Sequence, residues 1–332
     1  VAFEIGTATG PADLFAKLKS FLTTNADLTT ASQQWTQVWD TSNITDPENE
    51  TDVVFSGPGL AGAESVIVGM RLRDDAASDE HWIEYTGAIS VNAAAQNFRE
   101  HNGSMLRVVR TMLNNGPMSY WFVANGRRFI TVIKISTTYQ SSYCGLLLPF
   151  GLPQEYPYPL FIGGCCGDDF KDSNGYMPRT WRDNVRYHTF FLSPDGYVSG
   201  SYWLSSAWVR GPAGDWKGLN NVYHNLDGSV GPSRTGGNNT ETLVSANSGV
   251  LNGHTILGAM ETAYGGDRVL VPAPVFLRVS ERETLGVLQG VNRVAGAISA
   301  AEDVVTIDGT DHLTVPNVFR TDFHDYMTVE LS

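Results

Sequence analysis

Apolar positions in this chain follow two periods: a helical one over a single early segment, and a strand-like alternation over most of the rest. From Pro11 to Thr24, PADLFAKLKSFLTT, the residues Leu14, Leu18, Phe21 and Leu22 recur at i, i+4, i+7 and i+8, with Lys17 off that stripe. Pro11 suits a first helical turn and Asp13 lies near its positive end, so the spacing predicts a helix over 11–24. After Ala26 the runs QQWTQVWD, DVVFSG, SVIVGMRLR and HWIEYTGAISV are separated by Gly, Pro, Asp and Asn clusters. They read as an antiparallel sheet with the helix packed on it. A second short helix is predicted between Asn92 and Asn115, from Ala-rich and Leu/Met/Val-rich pieces broken at Asn102-Gly103.

The segment from Met118 to Phe161 is unusually aromatic. Its first half predicts a hairpin, with Tyr120–Ala124 and Arg127–Ile135 flanking Asn125-Gly126, a pair suited to the positive φ angles of a type I′ turn. Both faces of this hairpin are apolar, which implies a cover on each side, from its own domain or from a partner. The second half, LLLPFGLPQEYPYPLFIGG, carries Pro149, Pro153, Pro157 and Pro159. It predicts an extended, polyproline-like loop rather than a strand, anchored by Phe150, Tyr156, Tyr158 and Phe161. One reading makes this aromatic stretch core plus a loop covering core. The other makes Tyr139, Tyr143, Phe150, Tyr156, Tyr158 and Phe161 a surface for a neighbouring copy, since tyrosine joins contact area to a polar tip.

Further on, RYHTFFLSPDGYVSGSYWLSS reads as strand–turn–strand about Asp195-Gly196, and residues 228–252 as the most loop-like zone. HTILGAMET and RVLVPAPVFLRVS read as strands. The end predicts a hairpin turning at Asp308-Gly309 and a last strand from Tyr326 to Leu331. The expected fold is α+β and β-dominated, antiparallel sheets or a sandwich with a few short helices. Three units are expected: 1–95 (N-terminal α+β), 96–200 (central, aromatic-rich β) and 201–332 (C-terminal, β-rich).

Composition narrows the function classes. With 42% hydrophobic residues among 332, the chain can bury a substantial core. Its 22 basic residues against 35 acidic ones leave a net charge of −13, which disfavours direct nucleic-acid binding. No uninterrupted apolar run reaches membrane-spanning length, so no membrane insertion is expected. No secretory signal is visible, and three cysteines (Cys144, Cys165, Cys166) suit buried thiols in a reducing cytosol rather than a disulfide framework.

Motifs for chemistry are sparse. Asp168, Asp169 and Asp172 cluster in one predicted loop, and Asp74, Asp75, Asp79 and Glu80 in another. A glycosidase needs two carboxylates held on rigid elements, whereas acid clusters in Gly/Ser loops are ordinarily solvated. GDDFKDSNG also offers oxygen ligands for calcium but departs from the EF-hand spacing. The seven histidines are dispersed, and no paired zinc ligands, nucleophile elbow or phosphate-binding loop occurs. No cofactor and no catalytic residue is assigned.

The stretch WFVANGRRFITVIKISTTYQSSYCGLLLPFGLPQEYPYPLFIGG resembles a segment of virion structural proteins of tailed bacteriophages. PADLFAKLKSFLTTNADLTTASQQWTQVWD looks like the helix-then-strand opening of such proteins. DVVTIDGTDHLTVPNVFRTDFHDYMTVEL is similar to their closing hairpin, with its Asn317–Arg320 motif. The resemblance implies a tail or baseplate component with no catalytic motif, assembled in the host bacterial cytoplasm. Its expected partners are other copies of itself and other tail or baseplate proteins. The alternatives are a host-surface carbohydrate-binding or fibre-attachment module, with Trp203, Trp208 and Trp216 lining an open groove, and a polysaccharide-degrading enzyme with facing carboxylates.

Overall fold

Residues 118–135, apolar on both faces, require two covers, and the chain supplies both. The structure, a computed structural model, describes residues 1–41, 50–59, 64–105, 107–167, 190, 205–220, 230–231, 269–278, 282–294, 299–318 and 326–331. The chain opens with strand β1 (Ala2–Ala8), helix α1 (Pro11–Thr24) and the short helix α2 (Ala26–Thr30). Next come β2 (Thr36–Asp40), β3 (Glu50–Gly57), β4 (Val66–Asp75), β5 (Glu80–Ala88) and β6 (Val109–Met112). The aromatic region gives β7 (Met118–Ala124), β8 (Arg128–Ile135), β9 (Thr138–Leu146), β10 (Leu148–Pro149), β11 (Leu160–Gly163) and β12 (Cys166–Gly167). Strands β13 (Ser205–Arg210), β14 (Trp216–Asn220), β15 (Val230–Gly231) and β16 (Val271–Arg278) follow. The last are β17 (Arg282–Val294), β18 (Val304–Ile307), β19 (Thr310–Pro316) and β20 (Tyr326–Glu330). The fold is α+β, β-dominated and antiparallel, as the sequence implies.

The described residues form three sheets, in the orders β1-β7-β8-β9-β11-β13-β14, β12-β6-β5-β4-β3-β2 and β15-β16-β17-β20-β19-β18, with β10 beside β17 in the last. The first is the middle layer. Because side chains alternate along a strand, it feeds two cores. Tyr120, Phe122, Phe129 and Ile133 join Phe55, Val68, Ile83 and Tyr85 of the second sheet and Leu14, Leu18, Phe21 and Leu22 of α1. On the other face Trp121, Val123, Ile130 and Val132 join Val275, Leu288, Val315, Met327 and Val329 of the third sheet. Both covers of the hairpin are thus internal to the chain.

Several expectations need correction. The predicted 92–115 helix does not form. Instead residues 92–105 run irregularly across the outer face of the second sheet, where Phe98 packs with Val54, Ile67, Ala88 and Val108. A row of alternating charge under this strap fixes it. Asp52, Arg71, Glu84 and Arg110 sit opposite one another on successive strands. Arg71 binds Asp52 through Nε at 2.6 Å, and Arg110 binds Glu84 through Nη2 at 2.7 Å. The strap joins through the Phe98 amide, which donates to Asp52 (3.1 Å), and through Arg99, 3.2 Å from Glu84. Propensity yields here to burial over a sheet.

Asn125 opens its turn rather than occupying its centre. The Asn125 amide donates to the Arg128 carbonyl, while its Oδ1 accepts from the Arg127 and Arg128 amides. This side-chain closure replaces the positive φ of a type I′ turn. At Asp308-Gly309, by contrast, both residues have positive φ (51° and 81°), as that turn demands. The expected boundaries at 95 and 200 are crossed by main-chain ladders: β1 pairs with β7, β5 with β6, and β11 with β13. The reason is that the middle sheet recruits strands from all along the sequence.

Candidate functional site

The proline-rich loop begins where the chain leaves the middle sheet after Leu146. Leu148 and Pro149 pair with Val287 and Gly286 of the third sheet, and the Phe150 amide donates to the Leu285 carbonyl. A turn follows, in which the Glu155 and Tyr156 amides both donate to the Leu152 carbonyl at 2.9 Å. The Leu147 amide then bonds the Pro159 carbonyl, which closes the base, and Leu160 enters the middle sheet opposite Leu146. So the last part of the predicted loop, Leu160–Gly163, is a strand lying between β9 and β13. Proline forbids a ladder only at its own amide, and none lies beyond Pro159.

The loop is held by one tyrosine and displays its neighbours. Tyr156 is buried in the second core, and its hydroxyl donates to the Arg210 carbonyl at 2.6 Å. Tyr158 lies under the Arg210 guanidinium, 5.3 Å from ring centroid to Cζ, a cation–π contact. Facing solvent are Phe150, 66% exposed, Leu152, 63%, and Tyr158, 40%. Three large apolar side chains within nine residues are thus exposed on a loop braced by prolines and a buried anchor, an apolar knob.

The six residues expected at a contact surface therefore divide. Tyr139, Tyr143, Tyr156 and Phe161 are interior in this fold, and only Phe150 and Tyr158 are available to a neighbour. Tyr139 and Lys134 both reach the Glu302 carboxylate, a link between the middle sheet and the chain before β18. Burial, and then the hydrogen bond to Glu302, pushes the Tyr139 hydroxyl up to about 12. The wholly buried Tyr143 hydroxyl donates to the Leu146 carbonyl (2.7 Å) and accepts from the Gln289 amide. Burial pushes it up to about 12 against the opposing pull of Arg128. Phe161 meets the Tyr143 ring edge-on at 5.4 Å. These rings are interior because the middle sheet is covered on both faces, and strand alternation assigns them to the second core, which aromatic content alone does not reveal. Leu152 is not among the expected contact residues, although it stands between glycine and proline outside any strand alternation.

The other candidates are structural where they are described. Trp208 and Trp216 are half-buried and pack against the first core, and Trp216 Nε1 donates to the Gly103 carbonyl (2.9 Å); Trp203 lies outside the described residues. Asp74 and Asp79 lie 2.7 and 3.6 Å from the two His81 nitrogens, and Arg73 lies near Asp75 and Glu80. Asp168, Asp169 and Asp172, and with them the calcium reading, fall outside the described residues. All three cysteines are buried, and burial pushes the Cys144 and Cys165 thiols up. Among the described residues no three His, Cys, Asp or Glu side chains converge as a metal site would need. The chain matches no protein-family model and no curated protein.

Proposed function

We propose that this chain is a structural component of a tailed-phage virion, of the tail or baseplate, and that it docks to neighbouring virion proteins through Phe150, Leu152 and Tyr158. The observation that carries the reading is the braced knob: exposed apolar side chains on a loop anchored by Tyr156 and by pairing with the third sheet. A contact of this kind is favourable because proline and the anchor have already restricted the unbound loop, so little order is lost on docking. The resemblance of residues 121–164 to virion proteins supplies the setting, assembly in a bacterial cytoplasm with many copies. The reading assigns no catalytic step.

The test is complementation of a phage lacking this protein with a Phe150→Ser/Leu152→Ser/Tyr158→Ser variant. Because the three side chains face solvent, the variant folds as the parent does, and it is expected to be missing from purified particles. Labelled parent protein is expected at the tail or baseplate in electron micrographs. Incorporation of the triple variant at parental yield overturns the docking role, and absence of the label from particles overturns the virion reading.

A further inference from the structure

Strand β1 ends the middle sheet, and among the described residues nothing pairs with its outer side. The Asn125 amide bonds to the Arg128 carbonyl, and the β7–β8 register is unbroken. Hydrogen-bonded pairs alternate along an antiparallel ladder, so Ser119, Trp121 and Val123 bond towards β8. The even-numbered residues of β7 then bond towards β1, where they face Ala2, Glu4, Gly6 and Ala8. The amides and carbonyls of Phe3, Ile5 and Thr7 therefore point out of the sheet. Lys17 agrees with this parity, since its ammonium donates to the Thr7 carbonyl at 2.8 Å. Phe3 is 44% exposed and Ile5 55%, an apolar stripe on an unpaired edge. Such an edge is a template for another strand.

We infer that β1 pairs antiparallel with β1 of a second copy of this chain, about a two-fold axis at Ile5. Charge selects the occupant and the register. A two-fold centred on Glu4 sets two carboxylates opposite each other, whereas one centred on Ile5 sets each Glu4 opposite the other copy's Gly6. Glu4 lies on the helix-bearing face, bonded to the Tyr120 hydroxyl, and Lys17 of α1 stands on that face at the Thr7 end of the edge. Lys17 already holds Asp13 at 3.0 Å and the Thr7 carbonyl; in the Ile5 register it shares that carbonyl with the other copy's Phe3 amide, and each Glu4 approaches the other copy's Lys17 rather than its Glu4. The joined middle sheets become one fourteen-stranded sheet. The contact is small compared with the roughly 1,200 Å² of a stable pair, so it is weak between free copies and effective where copies are held together.

Register-specific cross-linking of the full chain tests this, independently of any virion role. Across a hydrogen-bonded antiparallel pair Cα atoms lie about 5.5 Å apart, within reach of a disulfide. The native thiols are buried and contribute little background. Ile5→Cys is expected to give a covalent dimer on mild oxidation, while Phe3→Cys, which faces Thr7 of the other copy, stays monomeric, and Phe3→Cys/Thr7→Cys cross-links again. Adding Phe3→Pro to Ile5→Cys removes an outward amide without touching the β7 ladder and is expected to abolish the cross-link. Monomeric Ile5→Cys, or equal cross-linking of Ile5→Cys and Phe3→Cys, overturns the proposal; the former outcome leaves the edge to a strand of a different protein.

Discussion

Arg128 is wholly buried between the middle and third sheets, and among the described residues none of its three guanidinium nitrogens finds a hydrogen-bond partner. Among the described residues it meets the Glu330 carboxylate, with Oε2 3.9 Å from Nη2. Gly290 makes this approach possible. With φ at +69°, it lies where a Cβ would stand 2.3 Å from Arg128 Nη2 and 2.8 Å from Glu330 Oε2. At an effective dielectric constant of about 20 the pair attracts by about 4 kcal/mol, set against the cost of taking the guanidinium out of water. The two partners differ in burial, since the Glu330 side chain keeps 26% of its surface exposed. Glu330→Gln strands a buried cation and is expected to cost about 3 kcal/mol. Arg128→Met leaves a carboxylate that water can reach and fills the space with apolar volume, so it is expected to cost less than about 1 kcal/mol. Urea unfolding followed by tryptophan fluorescence reads both as shifts in midpoint at unchanged slope. If Arg128→Met costs as much as Glu330→Gln, the guanidinium is not the poorly compensated group and the reasoning fails.

Glu84 gives a pH-dependent expectation. Burial raises its carboxyl, but Arg110 and Arg99 outweigh burial and hold it below its ordinary 4.5. A lowered carboxylate stabilises fully above its unfolded value, and that contribution is lost as pH falls through the folded one. The parent protein is therefore expected to lose more stability than Glu84→Gln between about pH 7 and pH 3, measured by urea midpoints; equal losses contradict the arrangement. The knob separates folding from docking in a second comparison. Tyr156→Ala removes a buried ring and its bond to Arg210 and is expected to cost about 3 kcal/mol, while Phe150→Ser stays within about 0.5 kcal/mol. Thermal unfolding of the two variants checks this.

Elements whose cause is local are legible in the sequence. Helix α1 occupies the predicted residues because its period, proline and first-turn acid all agree. The Asp308-Gly309 hairpin forms because only those residues carry its backbone angles cheaply. What stayed hidden depends on distant partners. The 92–105 strap has helix-compatible residues but answers to Asp52 and Glu84, charges on strands made earlier. Strand β1 reads as nothing in particular until β7 exists to pair with it. In the aromatic stretch, strand alternation decided only which of two cores a ring enters, and the exposed remainder, Phe150, Leu152 and Tyr158, lies on the loop between the strands.

The position of β20 has a consequence for synthesis. It lies between β17 and β19, so the third sheet stays in two parts until residues 326–330 have been made. Until then the middle-sheet face bearing Trp121, Val123, Ile130 and Val132 lacks its complete cover. At about 5–20 residues per second, translation from β8 to β20 takes roughly ten to forty seconds. Over that interval each nascent chain offers a broad apolar β surface to its neighbours on the same polysome, so the demand for chaperones is set by when β20 arrives.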